Sequence, residues 1–197
     1  MIIPAFGESA ERGFFFQHMG YYFGFSDYLT TALTGDIYTK GSYTVDMATL
    51  YSNRYHYNGN FRLSYSRAVT SDKELPDYVV AKDIHVNWIH NQDPKARPYS
   101  NFSANVNAGS SSYFRNTISS ATNFLSNTFT SSISYQKTFP DKPFNLGVSM
   151  NHSQNTLTHD MRITLPDVSF GISRITPFKR KNAVGSQKWY EKLGASY

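Results

Sequence analysis

The sequence predicts an all-β fold, arranged as an antiparallel up-and-down meander. Apolar and polar residues alternate in steps of two over many segments, and no stretch sustains a helical period. The chain also contains 15 Tyr and 15 Phe, residues that favour strands. We therefore expect about nine or ten strands of roughly 8 to 14 residues, each joined to its neighbour in sequence.

The first strand pattern begins at residue 14 and continues to about residue 69. Turn residues divide it, with one tight turn predicted at Lys40-Gly41-Ser42 and a second at Asn58-Gly59. Between and after these turns the alternation places Tyr43, Val45, Met47 and Tyr51 on one face, and Phe61, Leu63 and Tyr65 opposite Arg62, Ser64 and Ser66.

A polar segment with a proline, residues 70–78, is predicted to be a loop. In the next strand Ile84, Val86 and Trp88 alternate with Asp83, His85 and Asn87. After a proline-containing turn, another strand places Phe102, Ala104, Val106 and Ala108 opposite Asn101, Ser103, Asn105, Asn107 and Gly109. Small polar residues thus dominate one face of both strands.

The last third of the chain predicts a longer loop at residues 116–127 and then the clearest hairpin. Its strands meet at the turn "PDKP" and carry Phe129, Ile133, Tyr135 and Phe139, then Phe144, Leu146, Val148 and Met150. The final strand pattern runs through Met161, Ile163 and Leu165 and resumes at Val168 in the other phase. A bulge or short turn at "LPD" accounts for this slip.

The composition of the polar faces favours a membrane barrel. A wetted sheet of a soluble protein carries many Lys, Glu and Asp, whereas these faces carry Ser, Asn, Thr and Gly. Barrel interiors accept such residues, while the outer face is apolar, with aromatic girdles near the strand ends. We predict girdle positions at Tyr99, Tyr113, Phe114, Phe139 and Phe144. A secreted β-sandwich with a binding role is the alternative for the same alternation.

The whole-chain properties set further bounds. The 197 residues include no cysteine, which excludes disulfides and thiol chemistry, and the start of the chain lacks the features of a secretory signal. Either the chain stays inside the cell or it is an internal piece of something longer. We expect residues 1–197 to form a single partial β-barrel segment.

Three segments resemble one family: "DPKARPYSNFSANVNAGSSSYFR", "SSISYQKTFPDKPFNLGVSMNHSQNT" and "ITLPDVSFGISRITPFKRKN". They look like the barrel of the lipopolysaccharide-assembly outer-membrane proteins, the LptD or organic-solvent-tolerance family. The N-terminal "ERGFFFQHMGYYFGFSDYLTTALTGDIYTKGSY" is similar to the same family, so that the resemblance covers nearly the whole chain.

This resemblance implies a large outer-membrane barrel that delivers lipopolysaccharide into the outer leaflet through an opening between its first and last strands. It further implies a plug lipoprotein and periplasmic bridge proteins as partners, together with outer-membrane lipid. The family's periplasmic domain, its remaining strands and the cysteines of some members are absent from these 197 residues. We accordingly expect a segment of barrel wall. Another outer-membrane barrel, such as a porin or a hydrophobic-compound channel, is an alternative.

Catalysis is not indicated, because the six His are scattered and no Ser stands in a nucleophile-elbow context. No cofactor is predicted. Asp83 and His85 share a strand face and suggest a metal site with His90, whose face depends on the regularity of the strand beyond Trp88. We favour the simpler interpretation, polar residues facing a lumen, and predict no metal.

Two sets of residues are candidates for ligand contact. The first is a substrate path along the polar faces, consisting of Arg62, His85, Asn87, Asn105, Asn107 and Arg162. The second is an anionic-lipid contact at Lys179, Arg180 and Lys181, although a solvated loop also explains that cluster. Nucleic acid is not a predicted partner, since the basic residues fall in one short segment without a recognition motif.

Overall fold

The computed structural model describes residues 1–71, 73–113, 128–140, 142–173, 189 and 193–194. They form one antiparallel sheet of ten strands, each paired with its neighbours in sequence. The strands are β1 (Ala5–Ser9), β2 (Gly13–Ser26), β3 (Leu29–Tyr38), β4 (Tyr43–Asn53), β5 (Tyr57–Thr70), β6 (Val79–Gln92), β7 (Ser100–Gly109), β8 (Thr128–Thr138), β9 (Phe144–Asn155) and β10 (Met161–Ile172). The all-β meander is confirmed, and the described sheet is open, with β1 and β10 as its edges.

The alternation in sequence gives the sheet two chemically distinct faces. The register aligns Met47 of β4 with Leu63 of β5 and Val86 of β6, and these side chains belong to the apolar face. One step along each strand, Asp46, Ser64 and His85 are aligned on the polar face. Because side chains alternate with a period of two, an unbroken register keeps each face uniform across neighbouring strands.

The predicted slip near the end of the chain is a β-bulge. The pairing of β10 with β9 shifts between Thr164 and Asp167, on either side of Pro166. Proline has no amide hydrogen to donate to the ladder, so a bulge at this point is favourable. The bulge lets Met161–Ile172 remain one strand, with Ile163 and Val168 both on the apolar face despite their different phase.

Two predicted turns are confirmed. Gly41 has a φ of +90°, and its amide donates to the Tyr38 carbonyl at 3.0 Å in the β3–β4 turn. The hairpin of β8 and β9 closes where the Phe139 amide donates to the Phe144 carbonyl at 3.1 Å. The loop predicted at residues 116–127 lies outside the described residues.

The turn predicted at Asn58-Gly59 is wrong. Both residues lie inside β5, and the chain reverses earlier, at residues 54–56, where Tyr55 has a φ of +65°. Gly59 serves a different purpose, because the ring of Tyr51 from β4 lies directly over it. A Cβ at this position would clash with that ring and with the Ile89 carbonyl. Glycine is thus required for a close approach between strands and not for a turn.

One strand was not predicted. The pattern was expected to begin at residue 14, but β1 (Ala5–Ser9) already pairs with β2, from Ala5–Gln17 to Ser9–Gly13. A five-residue strand that contains Gly7 and follows Pro4 is too short to show an alternation. Its pairing with β2 is what identifies it.

The connections differ in length between the two ends of the sheet. The short-turn end carries residues 27–28, 54–56, 93–99 and 139–143. The long-connection end carries residues 10–12, 39–42, 71–78, 110–127 and 156–160. No helix among the described residues is long and apolar enough to cross a membrane.

Replacement of Gly59 tests the close approach of Tyr51. We expect Gly59→Ala to lower the free energy of unfolding by about 1 to 3 kcal/mol, because the added methyl group must displace the Tyr51 ring or the β6 backbone. Urea unfolding of the purified protein in detergent measures this. Gly24→Ala is the matched control, since a Cβ at Gly24 meets no atom within 4 Å. Equal stability of the two variants would contradict the assignment.

Candidate functional site

A groove of about 530 Å³ lies on the polar face where β4 to β7 run side by side. One row of paired residues crosses its floor: Ala48 of β4, Arg62 of β5, Asn87 of β6 and Asn107 of β7. The small Ala48 side chain leaves room beside Arg62. A cation and two amides from three successive strands therefore face the same space.

A second groove of about 400 Å³ continues from the first toward the short-turn end. The two share Thr30, Leu50 and Asn60 as lining residues. Beyond Asn60 the second groove is lined by the amides of Asn58 and Asn91. The polar face thus carries one furrow, rich in asparagine, that follows the strands.

Arg62 is the cation of this furrow. Its side chain is exposed, and within the described part of the chain its guanidinium has no ion pair and no hydrogen bond. Guanidinium groups form strong, charge-assisted hydrogen bonds to phosphate and carboxylate. Arg62 is consequently available to an anionic group in the groove.

The nearby carboxylates are already engaged by hydroxyl groups. Asp46 accepts a hydrogen bond from Ser64, and Asp83 accepts one from Ser112. Asp83 is only 1% exposed, and Ser64 is equally buried. Neither acid lines the groove, and among the lining residues Arg62 is the one with a permanent charge.

His85 fixes the orientation of the Asn107 amide. Its Nε2 lies 2.7 Å from Asn107 Oδ1, so that an Nε2–H donates to the amide oxygen. The amide nitrogen of Asn107 then remains as a donor toward the groove. The buried His85 side chain thus holds the Asn107 amide nitrogen in place as a donor on the polar face.

The start of the β7–β8 connection folds inward over the polar face. Ser110 continues the ladder, since its amide donates to the Ile84 carbonyl at 2.8 Å and its Oγ accepts from the Ile84 amide at 3.0 Å. The chain then turns, and the Tyr113 ring stacks on His85 with centroids 4.5 Å apart. Phe129, at the far side of the connection, lies 5.5 Å from the same imidazole and is fully buried.

Tyr113 is therefore not a girdle residue, and that prediction is wrong. Its ring covers His85 on the polar face because the chain reverses after Ser110, where the Tyr113 amide donates to the Ser110 carbonyl at 3.1 Å. Burial raises the pKa of the Tyr113 hydroxyl, which stays protonated at neutral pH. Of the other girdle positions, Tyr99 is 55% exposed, and Phe144 stacks on Phe170 at 5.7 Å. Phe114 lies outside the described residues.

The metal hypothesis fails because the strand stays regular beyond Trp88. Asp83 and His85 lie on the polar face, whereas His90 pairs with Ala104 on the apolar face. There, His90 Nδ1 is 2.8 Å from the Tyr51 hydroxyl. Among the described residues no group of three or more His, Asp or Glu side chains is placed to hold a metal ion.

The predicted path residues are only partly brought together. Arg62, His85, Asn87 and Asn107 line the first groove. Asn105 is on the same face of β7, one pairing step nearer the short-turn end, opposite Ile89. Arg162 also faces the polar side, but it lies on β10 and pairs with Ser153, three strands from β7. Lys179, Arg180 and Lys181 lie outside the described residues.

The sequence did not indicate several lining residues, among them Tyr22, Asn60 and Tyr113. Asn60 was not predicted as a lining residue, because the segment "YNGN" has the residue types of a turn. Its pairing with Leu50 and Ile89 brings it into the furrow. Cross-strand register, which a single sequence does not give, is the signal that was missing.

The fold and the two faces define an antiparallel β-sheet protein with one polar face and one apolar face. A profile of the LptD protein family matches residues 1–197, so the chain belongs to this family. The family acts in lipopolysaccharide transport at the outer membrane, and it is a transport and assembly family rather than one of enzymes. A search of curated proteins found no match.

Replacement of Tyr113 tests the inward fold of the connection. We expect Tyr113→Ala to raise the hydrogen-exchange rate of the Ser110 amide about fivefold, because a lost ring stack corresponds to about 1 kcal/mol. Tyr113→Phe keeps the ring and removes only the hydroxyl group and its hydrogen bond with Ser64, so it should raise the exchange rate less than Tyr113→Ala does. Mass spectrometry of peptides that cover residues 106–113 gives the rates. Identical exchange in the Ala and Phe variants would show that the stack does not hold this segment.

Proposed function

We propose that the sheet is a segment of an outer-membrane β-barrel wall in a protein that transports and inserts lipopolysaccharide. Its apolar face contacts membrane lipid, and its polar face lines a wet lumen through which the glycan part of the ligand passes. The work is conduction and insertion, without chemical conversion. Partners of the same transport pathway, a plug lipoprotein among them, would contact the lumen or the periplasmic side.

The observation that carries this proposal is a pair of aromatic rows on the apolar face. At one end Tyr43 and Tyr65 lie 6.1 Å apart, and at the other end Tyr51 and Tyr57 lie 6.1 Å apart. The two rows are separated by apolar-face residues such as Met47 and Leu63. Aromatic girdles that flank an apolar band are typical of transmembrane barrels.

The distance between the rows matches a bilayer. Tyr43 and Tyr51 are eight residues apart on β4, which corresponds to roughly 27 Å along a strand. At the tilt of about 40° found in barrels, the height becomes roughly 20 Å, and the rings themselves extend it. The expected apolar band is about 25 Å tall.

The apolar face has no protein cover among the described strands, which form a single sheet. Ile84, Ile163 and Val168 are each at least 50% exposed on this face. The alternative of a β-sandwich requires a second sheet over these side chains. Exposed apolar surface of this extent favours contact with lipid.

The polar furrow suits a phosphorylated glycan. Arg62 would bind a phosphate, and the amides of Asn87 and Asn107 would exchange hydrogen bonds with sugar hydroxyls. Asn105 and Arg162 would extend the polar lining toward the short-turn end and toward β10. A general porin or a hydrophobic-compound channel would not need this combination, and membership of the LptD family favours lipopolysaccharide.

Two adjacent residues of β9 test the assignment of the faces. We expect Met150→Lys to prevent assembly in the outer membrane, since a lysine on the lipid face near the midplane costs about 2 to 4 kcal/mol. Asn151→Lys places the same charge on the polar face and should assemble normally. Heat-modifiable gel mobility of outer-membrane fractions reports assembly. Equal assembly of the two variants would contradict the assignment of the apolar face to membrane lipid.

A crosslinking experiment tests the ligand. A photoreactive amino acid at Leu50, which lines both grooves, should crosslink to lipopolysaccharide in cells. Arg62→Gln should lower the crosslinked yield about tenfold, because a hydrogen bond to a charged group contributes roughly 1.5 to 3 kcal/mol. Lys82→Gln, on the apolar face of β6, is the control. A yield that does not depend on Arg62 would contradict its role.

A further inference from the structure

Tyr22 of β2 lines the first groove on the side away from the amides. The paired row on the groove floor begins with this residue, since Tyr22 aligns with Ala32 of β3, Ala32 with Ala48, and Ala48 with Arg62. Tyr22 is 53% exposed and lines the same groove as Arg62. An aromatic ring and a guanidinium group therefore stand on opposite sides of a floor made of two alanines.

The Tyr22 ring is not packed against other side chains. Phe15 and Tyr38, on the same face, pack on each other with centroids 5.8 Å apart. The Tyr22 side chain, by contrast, has no ring contact and no hydrogen bond within the part of the chain that the structure describes. Its nearest neighbours on this face of β2 are Gly20 and Gly24, and a Cβ at Gly24 would meet no atom within 4 Å. The ring is thus available to a ligand in the groove.

The separation of Tyr22 from Arg62 fits one sugar ring. Three strand spacings lie between these residues, which is roughly 14 Å between their Cα atoms. A contact with the face of a ring takes about 4 Å, and a charge-assisted hydrogen bond takes about 3 Å. The roughly 7 Å that remain accommodate a single sugar ring with a phosphate ester.

The chemistry of the groove matches the two parts of a phosphorylated sugar. The flat face of a sugar ring carries C–H groups, which the negative face of a tyrosine ring attracts. The amides of Asn60 and Asn87, which line the same groove, supply both donors and acceptors for sugar hydroxyls. The Arg62 guanidinium binds phosphate. A simple anion would use Arg62 alone, and an acyl chain would leave the amides without partners.

We propose that Tyr22 and Arg62 form a subsite that holds one phosphorylated sugar ring, with Tyr22 as the residue that selects a sugar over other anions. The inference rests on the proposed function, because it places part of the glycan in the same groove. It adds a binding step, since a wet lumen wall only lets the glycan pass, whereas this subsite retains one ring. Ala32 and Ala48 provide the space for it.

Ligand-observed NMR with the full chain in detergent tests the subsite. The probe is glucose 6-phosphate, whose Kd is measured from the saturation transferred to its ring protons. We expect Tyr22→Ala to weaken binding about fivefold, which corresponds to a ring contact of about 1 kcal/mol. Tyr21→Ala is the matched control, because Tyr21 is 54% exposed on the apolar face of the same strand. Equal Kd values for the two variants would overturn the inference.

Two simpler probes separate the contributions of the two residues. Binding of inorganic phosphate, measured by phosphorus NMR, should weaken about tenfold in Arg62→Gln and stay unchanged in Tyr22→Ala. Binding of methyl glucoside should show the reverse dependence. Glucose 6-phosphate binding that depends on Arg62 alone would overturn the sugar subsite and leave only an anion site.

The alanine floor provides an independent test. Ala48→Leu fills the space between Tyr22 and Arg62 and should weaken glucose 6-phosphate binding about tenfold, while inorganic phosphate still binds. Ala108→Leu makes the same change on the apolar face of β7 and should have no effect. Undiminished binding of glucose 6-phosphate by Ala48→Leu would show that the sugar lies elsewhere and overturn the inference.

Crosslinking in cells separates the subsite from the proposed function. With the photoreactive amino acid at Leu50, Tyr22→Ala should lower the yield of crosslinked lipopolysaccharide about fivefold. A yield equal to that of Tyr21→Ala would overturn the subsite while the conduit stands. An absence of crosslinked lipopolysaccharide in the parent protein would instead overturn the proposed function.

Discussion

Every strand of this sheet depends on its neighbours for its backbone hydrogen bonds. In hydrocarbon an unpaired amide or carbonyl group costs several kcal/mol, so a membrane-spanning sheet requires a ladder that runs without long interruptions from one strand to the next. The ten strands meet this requirement through nearest-neighbour antiparallel pairing. Where proline removes a donor in β10, a bulge restores the register within a few residues. This ladder, which shifts register only locally in the β2–β3 and β9–β10 pairings, fixes which side chains share the apolar face and which share the polar face.

The two faces then follow from side-chain size and polarity. On the polar face, short Ser, Ala and Asn side chains leave a furrow, and the exposed Arg62 of β5 stands in it beside the amides of β6 and β7. On the apolar face, large side chains fill the space between two rows of tyrosine. One alternating sequence therefore builds both a polar groove and a continuous apolar surface.

The features predicted from sequence are those that depend on local pattern. Period-two alternation was enough to predict the faces of β4 to β7 and β9, and Pro166 was enough to predict the bulge. The features that were missed depend on a neighbouring strand. Asn58-Gly59 has the sequence pattern of a turn, but in the structure the Tyr51 ring lies over Gly59 within a strand. Tyr113 has the sequence position of a girdle residue, but in the structure its ring stacks on His85. The same holds for the furrow, whose amides meet only through cross-strand register.

The proposed barrel wall requires lipid on one face of β9 and water on the other. Nitroxide labels at successive cysteines from residue 145 to 152, in the membrane-reconstituted protein, measure this through their collision rates with oxygen and with a water-soluble nickel complex. We expect oxygen accessibility to peak at Leu146, Val148, Met150 and His152, and accessibility to the nickel complex to peak at the residues between them. Equal access of the nickel complex to both faces along the strand would contradict it.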